Sequence, residues 1–417
     1  MTTTRGLASP GMGEPTTVRA TIVQAPTPDE LQTLPDRLIT VGEDGRITTI
    51  EPAEGRSADI EYPEGTVLTS GFVDTHIHAP QWPQRGKALD EPLEKWLHEY
   101  TFPLEARFED LDFAREVYTD MVRTLMELGT TAAVYYGSIH VEATTLLAEI
   151  CIEHGQRALI GRVAMDHPDT TPDYYRDPSA KHGVEASRES IEQIRALGSD
   201  LVQPIVTPRF IPSCTDELLE GLAELAEETG TPIQTHCSES DWEHNHVLER
   251  TGMTDTQALD QRGLLRENTI LAHATHITDQ DMDTIIERGA GVAHCPLSNA
   301  YFSEAVFRAR EAIERGMKVG LGTDIAGGPD PDMRNQVQRA LTAARYLEHG
   351  VDATKPPQQR GVPNSRITPA QATWMATTGG AQLAGIGNWA MQPGKRMAEA
   401  RAVGLEALLW PCPQPFA

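Results

Sequence analysis

Short apolar segments of β-type sequence alternate with helix-like segments from about residue 70 onward. The chain contains eight such β-type segments: GFVDTHIH, TTAAVYYGS, RALIGRVAM, LVQPIVTPRF, TPIQTHCSES, TILAHATHI, AGVAHCPLSN and KVGLGTDIAGG. In one intervening stretch, Phe113, Val117, Met121 and Leu125 recur at helical spacing. Strands joined by helices predict a parallel sheet with crossover helices, and eight strands can close a (β/α)8 TIM barrel. A doubly wound open sheet is the alternative that periodicity leaves open.

The sequence outside this alternating region has a different character. Residues 1–18 are rich in Thr, Gly and Pro, and we expect them to be disordered. Residues 19–69 contain short strand-like runs separated by turn residues, which predict a small β domain. Residues 70–387 would then form the barrel. Residues 388–417 lack a regular strand pattern and are expected to be an aberrant or truncated tail.

The charge balance excludes two classes of partner. The chain has 61 acidic and 35 basic residues among 417, which gives a net charge of -26. Nucleic-acid binding needs a basic face, and an anionic membrane would repel this chain. An acid-rich, Lys-poor composition is typical of salt-adapted, halophile-like surfaces, and an ordinary acidic enzyme is the alternative.

The lack of a recognisable targeting signal and the pattern of cysteines favour a cytoplasmic enzyme. The first 20 residues have no apolar core of the kind found in secretory signals, and no apolar run is long enough to span a membrane. The five Cys include no C-x-x-C pair, which fits a reducing compartment.

Imidazole and carboxylate side chains occur where the predicted strands end. His76 and His78 are two residues apart in the first run and so face the same side of the strand. The fifth run carries His236, the sixth His273 and the eighth Asp324. One isolated His is usually structural, but in a barrel all these strand ends meet at one mouth. The pattern predicts a metal site, with Zn²⁺ as the ion and Fe²⁺ as the other choice that suits imidazole.

Two other kinds of metal site do not fit the sequence. Cytidine-deaminase-type zinc sites need a P-C-x-x-C motif, which is absent. A binuclear centre bridged by a carbamylated Lys needs a Lys near the fourth run, and none occurs between Lys181 and Lys318. We therefore expect one metal ion per chain. Cys237 and Cys295 follow His residues directly, so they should face the opposite side and pack in the core.

Other polar side chains close to these positions suggest proton transfer and ring binding. Glu239 lies three residues after His236, where it could move protons, although a solvated Glu is the alternative. Arg209 and Phe210 end the fourth run; an Arg fork can bind the O6 and N7 acceptors of guanine, and Phe can stack on the ring. A salt bridge is the alternative role for Arg209. Gln81 offers an amide donor and acceptor.

Eight stretches between about residues 66 and 387 resemble the amidohydrolase superfamily: SGFVDTHIHAPQWP, LDEPLEKWLHEYTFPLEARFED, MELGTTAAVYYGSIH, TPRFIPSC, THCSES, LAHATHIT, GVAHCPLSN and VGLGTDIAGG. The narrower motifs W-L-x-x-Y-T-F-P, H-A-x-Q and T-P-R-F resemble those of guanine deaminases. The resemblance implies metal-dependent hydrolysis of guanine to xanthine and ammonia. It also implies a small β-sandwich built from both chain ends, incomplete here because the tail lacks the expected strands.

Position by position, the resemblance implies metal ligands at His76, His78, His236 and Asp324. It implies catalytic roles for Glu239, Asp324 and His273, and purine binding by Gln81, Arg209, Phe210 and His236. The implied assembly is a homodimer with one Zn²⁺ per chain and a small purine substrate. Two alternatives remain: deamination of another aminated ring, such as 8-oxoguanine or a pterin, and a non-catalytic barrel scaffold.

Overall fold

The computed structural model describes residues 15–62, 65–303, 305–387, 389–397 and 400–404. Within them the strands are β1 Thr16–Thr27, β2 Glu30–Val41, β3 Ile47–Pro52, β4 Ile60–Glu61, β5 Thr66–Ser70, β6 Phe72–His78, β7 Thr130–Tyr136, β8 Arg157–Gly161, β9 Val163–Ala164, β10 Val202–Pro204, β11 Thr207–Pro208, β12 Ile233–Cys237, β13 Thr269–His273, β14 Gly291–His294, β15 Lys318–Leu321 and β16 Ala400–Gly404.

The α-helices within the same residues are α1 Leu93–Trp96, α2 Phe102–Glu105, α3 Leu111–Leu128, α4 Val141–His154, α5 Ala180–Ala196, α6 Asp216–Thr229, α7 Asp241–Thr251, α8 Asp255–Gln261, α9 Asp279–Glu287, α10 Pro296–Ser298, α11 Ala309–Glu314, α12 Met333–His349, α13 Pro369–Met375 and α14 Thr378–Leu383. Short 3-10 or π segments occupy Ala79–Gln84, Leu97–Thr101, Ala106–Glu109, Ile211–Ser213, Asn299–Ser303 and Pro357–Gln359. In this part of the chain, no helix is both long and apolar enough to cross a membrane.

The N-terminal strands form a separate six-stranded sheet in the order β16-β5-β1-β2-β3, with β4 beside β1. Alternate apolar residues of β1 face a small core, in which Val18, Ile22, Ile39 and Leu68 are fully buried. The strands expected in this region therefore pair in one sheet, while the small β domain stays a prediction. The predicted second layer of a sandwich is not found among the described residues.

Near both ends of the chain, some described residues differ from the sequence-based expectations, and other residues lie outside the described ranges. Residues 16–18 belong to β1 rather than to a disordered segment, whereas residues 1–14 lie outside the described residues. At the other end, β16 pairs antiparallel with β5, with Ala400 opposite Ser70. The sequence analysis missed this strand because its five residues lie in a stretch without a regular strand pattern. Residues 405–417 lie outside the described residues.

Each of the eight predicted β-type segments contains at least one strand, from β6 to β15. These strands pair in parallel, in the orders β10-β8-β7-β6, β11-β9 and β12-β13-β14-β15. Parallel pairing requires the intervening helices as crossover connections, and strands covered on both faces read as continuous apolar runs. The predicted α/β class with parallel sheets is confirmed.

Backbone contacts join the separate sheets. An isolated parallel bridge pairs Val206 with Ile233, next to β11 and β12. Beyond β15, the N–H of Asp324 donates to the carbonyl of His76 in β6, at 2.8 Å. The carboxyl ends of the first and the last of the eight strand positions therefore lie side by side.

The helix predicted before β7 is α3, which begins where Asp110 accepts hydrogen bonds from the N–H groups of Asp112 and Phe113. It ends at Gly129, whose φ of 95° is the left-handed conformation that commonly stops helices. Met121 and Leu125 are buried on its inner face. Because α3 ends at Leu128, only Gly129 separates it from the start of β7.

Candidate active site

Five of the predicted site residues meet at the carboxyl ends of the strands. His76 and His78 end β6, His236 lies in β12, His273 ends β13 and Asp324 follows β15; together we call them the histidine cluster. Single ligand atoms of His76, His236, His273 and Asp324 all lie within 4.8 Å of one another, and all four residues are buried. Residues from four strands thus surround one point.

His78 reaches the same point from the strand that carries His76. Its Nε2 lies 3.1 Å from Nε2 of His236 and 3.4 Å from Oδ1 of Asp324. The Nε2 of His76 lies 3.1 Å from that same Asp324 oxygen. The two-residue spacing in β6 therefore places both imidazoles on one face, as the strand geometry predicts.

Hydrogen bonds behind the cluster set the tautomers of two imidazoles. The Nδ1 of His236 lies 2.6 Å from the carbonyl oxygen of Arg209, which can only accept, so Nδ1 carries the hydrogen. The Nδ1 of His273 lies 2.9 Å from Oδ1 of Asn299 and donates to it in the same way. Each Nε2 then presents a lone pair to the centre of the cluster.

The histidine cluster leaves polar atoms unpaired inside the protein. Among the described residues, the buried Nε2 atom of His273 has no hydrogen-bond partner, and that of His76 forms no well-aligned hydrogen bond although Oδ1 of Asp324 lies 3.1 Å away. An unpaired buried polar group costs about 1–3 kcal/mol, so native structures seldom contain one without a reason. Burial also holds the pKa values of His76, His78 and His236 well below the usual range, which keeps these rings neutral. Neutral imidazoles with one carboxylate fit a divalent metal ion.

Glu239 stands beside this cluster. Its Oε1 lies 3.6 Å from Nε2 of His273. Burial raises the pKa of Glu239 well above the usual range, and the negative charge of Asp324 adds to the shift. Burial also raises the pKa of Asp324. A carboxyl group in this environment holds its proton more readily than a solvated one does.

Two buried carboxyl groups hold the loop that carries Glu239. The Glu243 carboxylate accepts the N–H of Glu239 at 2.7 Å, and Asp255 accepts the N–H of Ser238 at 3.1 Å. Ser238 has a φ of 50°, in the left-handed region, so the loop depends on such fixed contacts. The sequence analysis did not select Glu243 or Asp255, because nothing in the sequence distinguishes them from exposed acids nearby.

A small, partly open pocket lies in front of the histidine cluster. Gln81, Arg209, Phe210 and Glu239 line it, as the sequence analysis expects. Residues that were not selected also line it: Leu93, Trp96, Leu97, Phe302 and Gly327. The first three lie in the segment LDEPLEKWLHEYTFPLEARFED, where only the family resemblance gave a signal.

Arg209 occupies the pocket wall and also makes the ion pair considered as its alternative role. Its Nη1 donates to Oε2 of Glu105 at 2.6 Å, and its Nη2 donates to Oε1 at 3.1 Å. Gln81 donates from Nε2 to Glu105 at 2.8 Å and accepts the N–H of Ala326 at 2.9 Å. The sequence analysis missed Glu105, which lies in a helical turn rather than at a strand end.

Cys237 and Cys295 are buried, as predicted from their position next to His residues. Burial raises the pKa of both thiols well above the usual range, so they stay protonated. Only a thiolate is a good metal ligand. Both residues therefore act as small core side chains.

Known proteins of similar sequence and fold are amidohydrolases. The model of the Amidohydrolase family matches residues 67–395. The probable guanine deaminase of Schizosaccharomyces pombe is 40% identical over 76% of this chain and 59% of that protein, so this chain spans less than two thirds of its length. The guanine deaminase of Dictyostelium discoideum is 35% identical over 88% of this chain and 84% of that protein. The crystal structure of guanine deaminase from C. acetobutylicum with bound guanine has a TM-score of 0.82 at 26% identity, covering 92% of this chain and 89% of that one.

Proposed function

Because this chain belongs to the amidohydrolase family and, within it, to the guanine deaminases, we propose that it hydrolyses guanine to xanthine and ammonia. The observation that carries the proposal is the buried histidine cluster at the base of a pocket lined by Gln81, Arg209 and Phe210. This arrangement combines the donor atoms for a metal ion with groups that suit a planar ring bearing acceptor atoms.

The fold that we propose for residues 70–387 is a closed (β/α)8 barrel. Eight strand positions follow one another in chain order, and the Asp324 N–H reaches the His76 carbonyl at 2.8 Å. The Thr75 hydroxyl also donates to the carbonyl of Leu321 at 2.9 Å. Closure explains why side chains from distant strands converge at one mouth. The homodimer and the cytoplasmic location stay predictions.

We assign the metal site to one zinc ion held by His76, His78, His236 and Asp324, with Fe²⁺ as the other ion that suits these donors. When bound, the ion supplies Lewis-acid chemistry that makes water acidic enough to react near neutral pH. His273 lies beside the two carboxyl groups, with its Nε2 3.6 Å from Glu239 and 3.9 Å from Asp324. It would hydrogen-bond the attacking water or the substrate.

The two carboxyl groups move the protons. Asp324 takes one proton from the water that attacks C2 of guanine. Glu239, whose pKa is raised by burial, donates its own proton to the adjacent ring nitrogen N3. Asp324 then passes its proton to the amino group, the C2–N bond breaks, and ammonia leaves. Glu239 recovers a proton from the new hydroxyl group, so one water is consumed and both carboxyl groups return to their starting state.

The remaining pocket residues bind and orient the ring. Arg209 offers N–H donors to acceptor atoms at the ring edge, and Gln81 offers an amide beside it. Phe210 is buried at the pocket, with its ring centre 6.1 Å from that of His236, where it can stack on a purine. These contacts hold C2 near the histidine cluster and Glu239.

Ammonia release from a panel of heterocycles tests this function. Zinc-loaded protein would be assayed with guanine, adenine, cytosine, 8-oxoguanine and a pterin. We expect guanine to give the highest kcat/KM, exceeding adenine by at least about 10³-fold, because Arg209 matches two acceptors but not an amino donor. Faster release from 8-oxoguanine or the pterin would assign a related aminohydrolase. No release from any ring, with metal bound, would indicate a scaffold.

A further inference from the structure

One buried carboxylate, that of Glu105, holds both Gln81 and Arg209 in the pocket wall. Glu105 ends α2 and is 0% exposed. Its Oε2 accepts Nη1 of Arg209 at 2.6 Å, while its Oε1 accepts Nη2 of Arg209 at 3.1 Å and Nε2 of Gln81 at 2.8 Å. We call Gln81, Glu105 and Arg209 the donor wall. Both of its pocket-lining members are therefore oriented by a residue that does not line the pocket.

These contacts fix which end of the Gln81 amide is the nitrogen. The backbone N–H of Ala326 can only donate, and it lies 2.9 Å from Oε1 of Gln81. A carboxylate paired with Arg209 can only accept, and it faces Nε2. The flipped amide would place N–H against N–H and oxygen against carboxylate. The hydrogen left free on Nε2 is thus the group that Gln81 offers to a ligand.

Arg209 offers hydrogen-bond donors in the same way. Its guanidinium has five N–H groups and no acceptor, and the two that reach Glu105 leave others for the pocket that it lines. The negative charge of Glu105 also offsets the positive charge of Arg209. The donor wall therefore presents N–H groups without a net charge.

We propose that Glu105 is a positioning residue that sets substrate specificity by holding the Arg209 guanidinium in place and by turning the N–H end of the Gln81 amide toward the pocket. The pocket then selects purine rings with acceptor atoms on the edge facing the donor wall and rejects rings with an exocyclic amine there. A buried site built for one hydrogen-bonding pattern discriminates by about 10⁴–10⁵-fold against a mismatched group. This inference rests on the proposed function.

Glu105→Gln tests the inference with two substrates that share the 2-amino group. Guanine carries the O6 acceptor, and 2,6-diaminopurine carries an amine in its place; chromatography identifies which amino group is lost. For guanine we expect kcat/KM to fall about 10²-fold, mainly through a higher KM, because a small misplacement of binding groups can lower activity by that factor. In this variant only the Ala326 N–H still holds the Gln81 amide, because the carboxylate that excluded the flipped orientation is gone. A fraction of the amides can then turn the oxygen toward the amine, so the preference for guanine over 2,6-diaminopurine should narrow at least tenfold. Zinc content should not change.

A purely structural role for Glu105 predicts a different result, in which both substrates lose activity by the same factor. The control is Glu99→Gln, an exposed carboxyl group on the preceding turn, which should leave the ratio unchanged. Should Glu105→Gln fail to fold, Glu105→Asp decides, because it keeps the charge beside Arg209 but is one carbon shorter. A guanine to 2,6-diaminopurine kcat/KM ratio between those of the wild type and of Glu105→Gln supports the inference. A ratio equal to that of the wild type overturns it. Zinc-loaded wild type inactive on guanine would instead contradict the proposed function.

Discussion

The histidine cluster and the donor wall face the same pocket but are built in opposite ways. In the cluster, the buried Nε2 atoms of His76 and His273 form no well-aligned hydrogen bond among the described residues, although Asp324 lies 3.1 Å from His76. In the donor wall, both Glu105 oxygens and both ends of the Gln81 amide are engaged. Each arrangement is buried, so solvent does not account for the difference.

The comparison separates two ways of preparing a buried site. Unpaired lone pairs that converge on one point are stable only when a group from outside the chain satisfies them. Fully paired groups hold their orientation before a ligand arrives and need no rearrangement when it binds. The histidine cluster is thus suited to an ion from outside the chain, whereas the donor wall is fully paired by its own residues.

Removing the metal should have the largest effect on this comparison. We expect a chelator to abolish ammonia release and added Zn²⁺ to restore it, with about one ion per chain by elemental analysis. Zinc at about 100 times its dissociation constant should also stabilise the fold by about 2.7 kcal/mol, which a thermal melt detects. Donor-wall variants should keep the metal. Two ions per chain, or activity that survives chelation, would contradict the assignment.

Glu239→Gln should have the next largest effect, because it removes an acid while leaving the histidine cluster intact. A positioned proton donor contributes about 10²–10⁴-fold to a rate, so we expect kcat to fall by that factor with zinc content unchanged. Glu249→Gln, an exposed carboxyl group on helix α7, which follows the Glu239 loop, is the matched control. A rate close to that of the wild type would show that Glu239 moves no proton.

The two halves of the pocket also differ in how far the sequence predicts them. The histidine cluster could be found because its members lie at strand ends, and parallel strands bring their ends together. His76 and His78 add a local signal through their two-residue spacing. The fold class was predictable for the same reason, since alternating segments determine parallel pairing before any side-chain detail is known.

Glu105 has no such signal. It lies in a short helical turn, and the contact that defines it joins residues 104 positions apart. The segment contains other acids, such as Glu99 and Glu109, that remain exposed. Which acid turns inward depends on packing around Arg209, and a single sequence does not encode that packing in any regular spacing. The same applies to Glu243, which is buried behind Glu239.

Arg209→Ala should disrupt the donor wall by removing the cationic partner of Glu105. It leaves Glu105 buried without its partner, and breaking a buried ion pair in this way costs about 3–5 kcal/mol. We expect a lower melting temperature and a guanine kcat/KM reduced more than that of adenine. Arg209→Lys should not restore specificity, because an ammonium group cannot make the planar two-point contact with Glu105. Unchanged preference in Arg209→Ala would mean that other residues select the ring.

The smallest expected effect concerns the support behind Glu239 and depends on pH. In His244 of α7, the Nδ1 atom lies 3.6 Å from Oδ2 of Asp255, and 22% of the side chain is exposed. The Asp255 carboxylate raises the pKa of His244 above 6.5. A raised pKa means that the folded protein binds this proton more tightly than the unfolded chain does. The stabilisation is therefore fully present below pH 6.5 and is lost as pH rises through the folded pKa.

His244→Gln should accordingly lower the melting temperature at pH 5.5 and match the wild type at pH 9. Solvent reaches part of the ring, so we expect at most about 1 kcal/mol. His349→Gln, at the exposed end of α12, is the control and should show no such pH dependence. An equal loss at both pH values would mean that His244 acts through packing alone. Since Asp255 also holds the Ser238 N–H, a simultaneous fall in kcat at pH 9 would show that His244 orients the Glu239 loop even when it is uncharged.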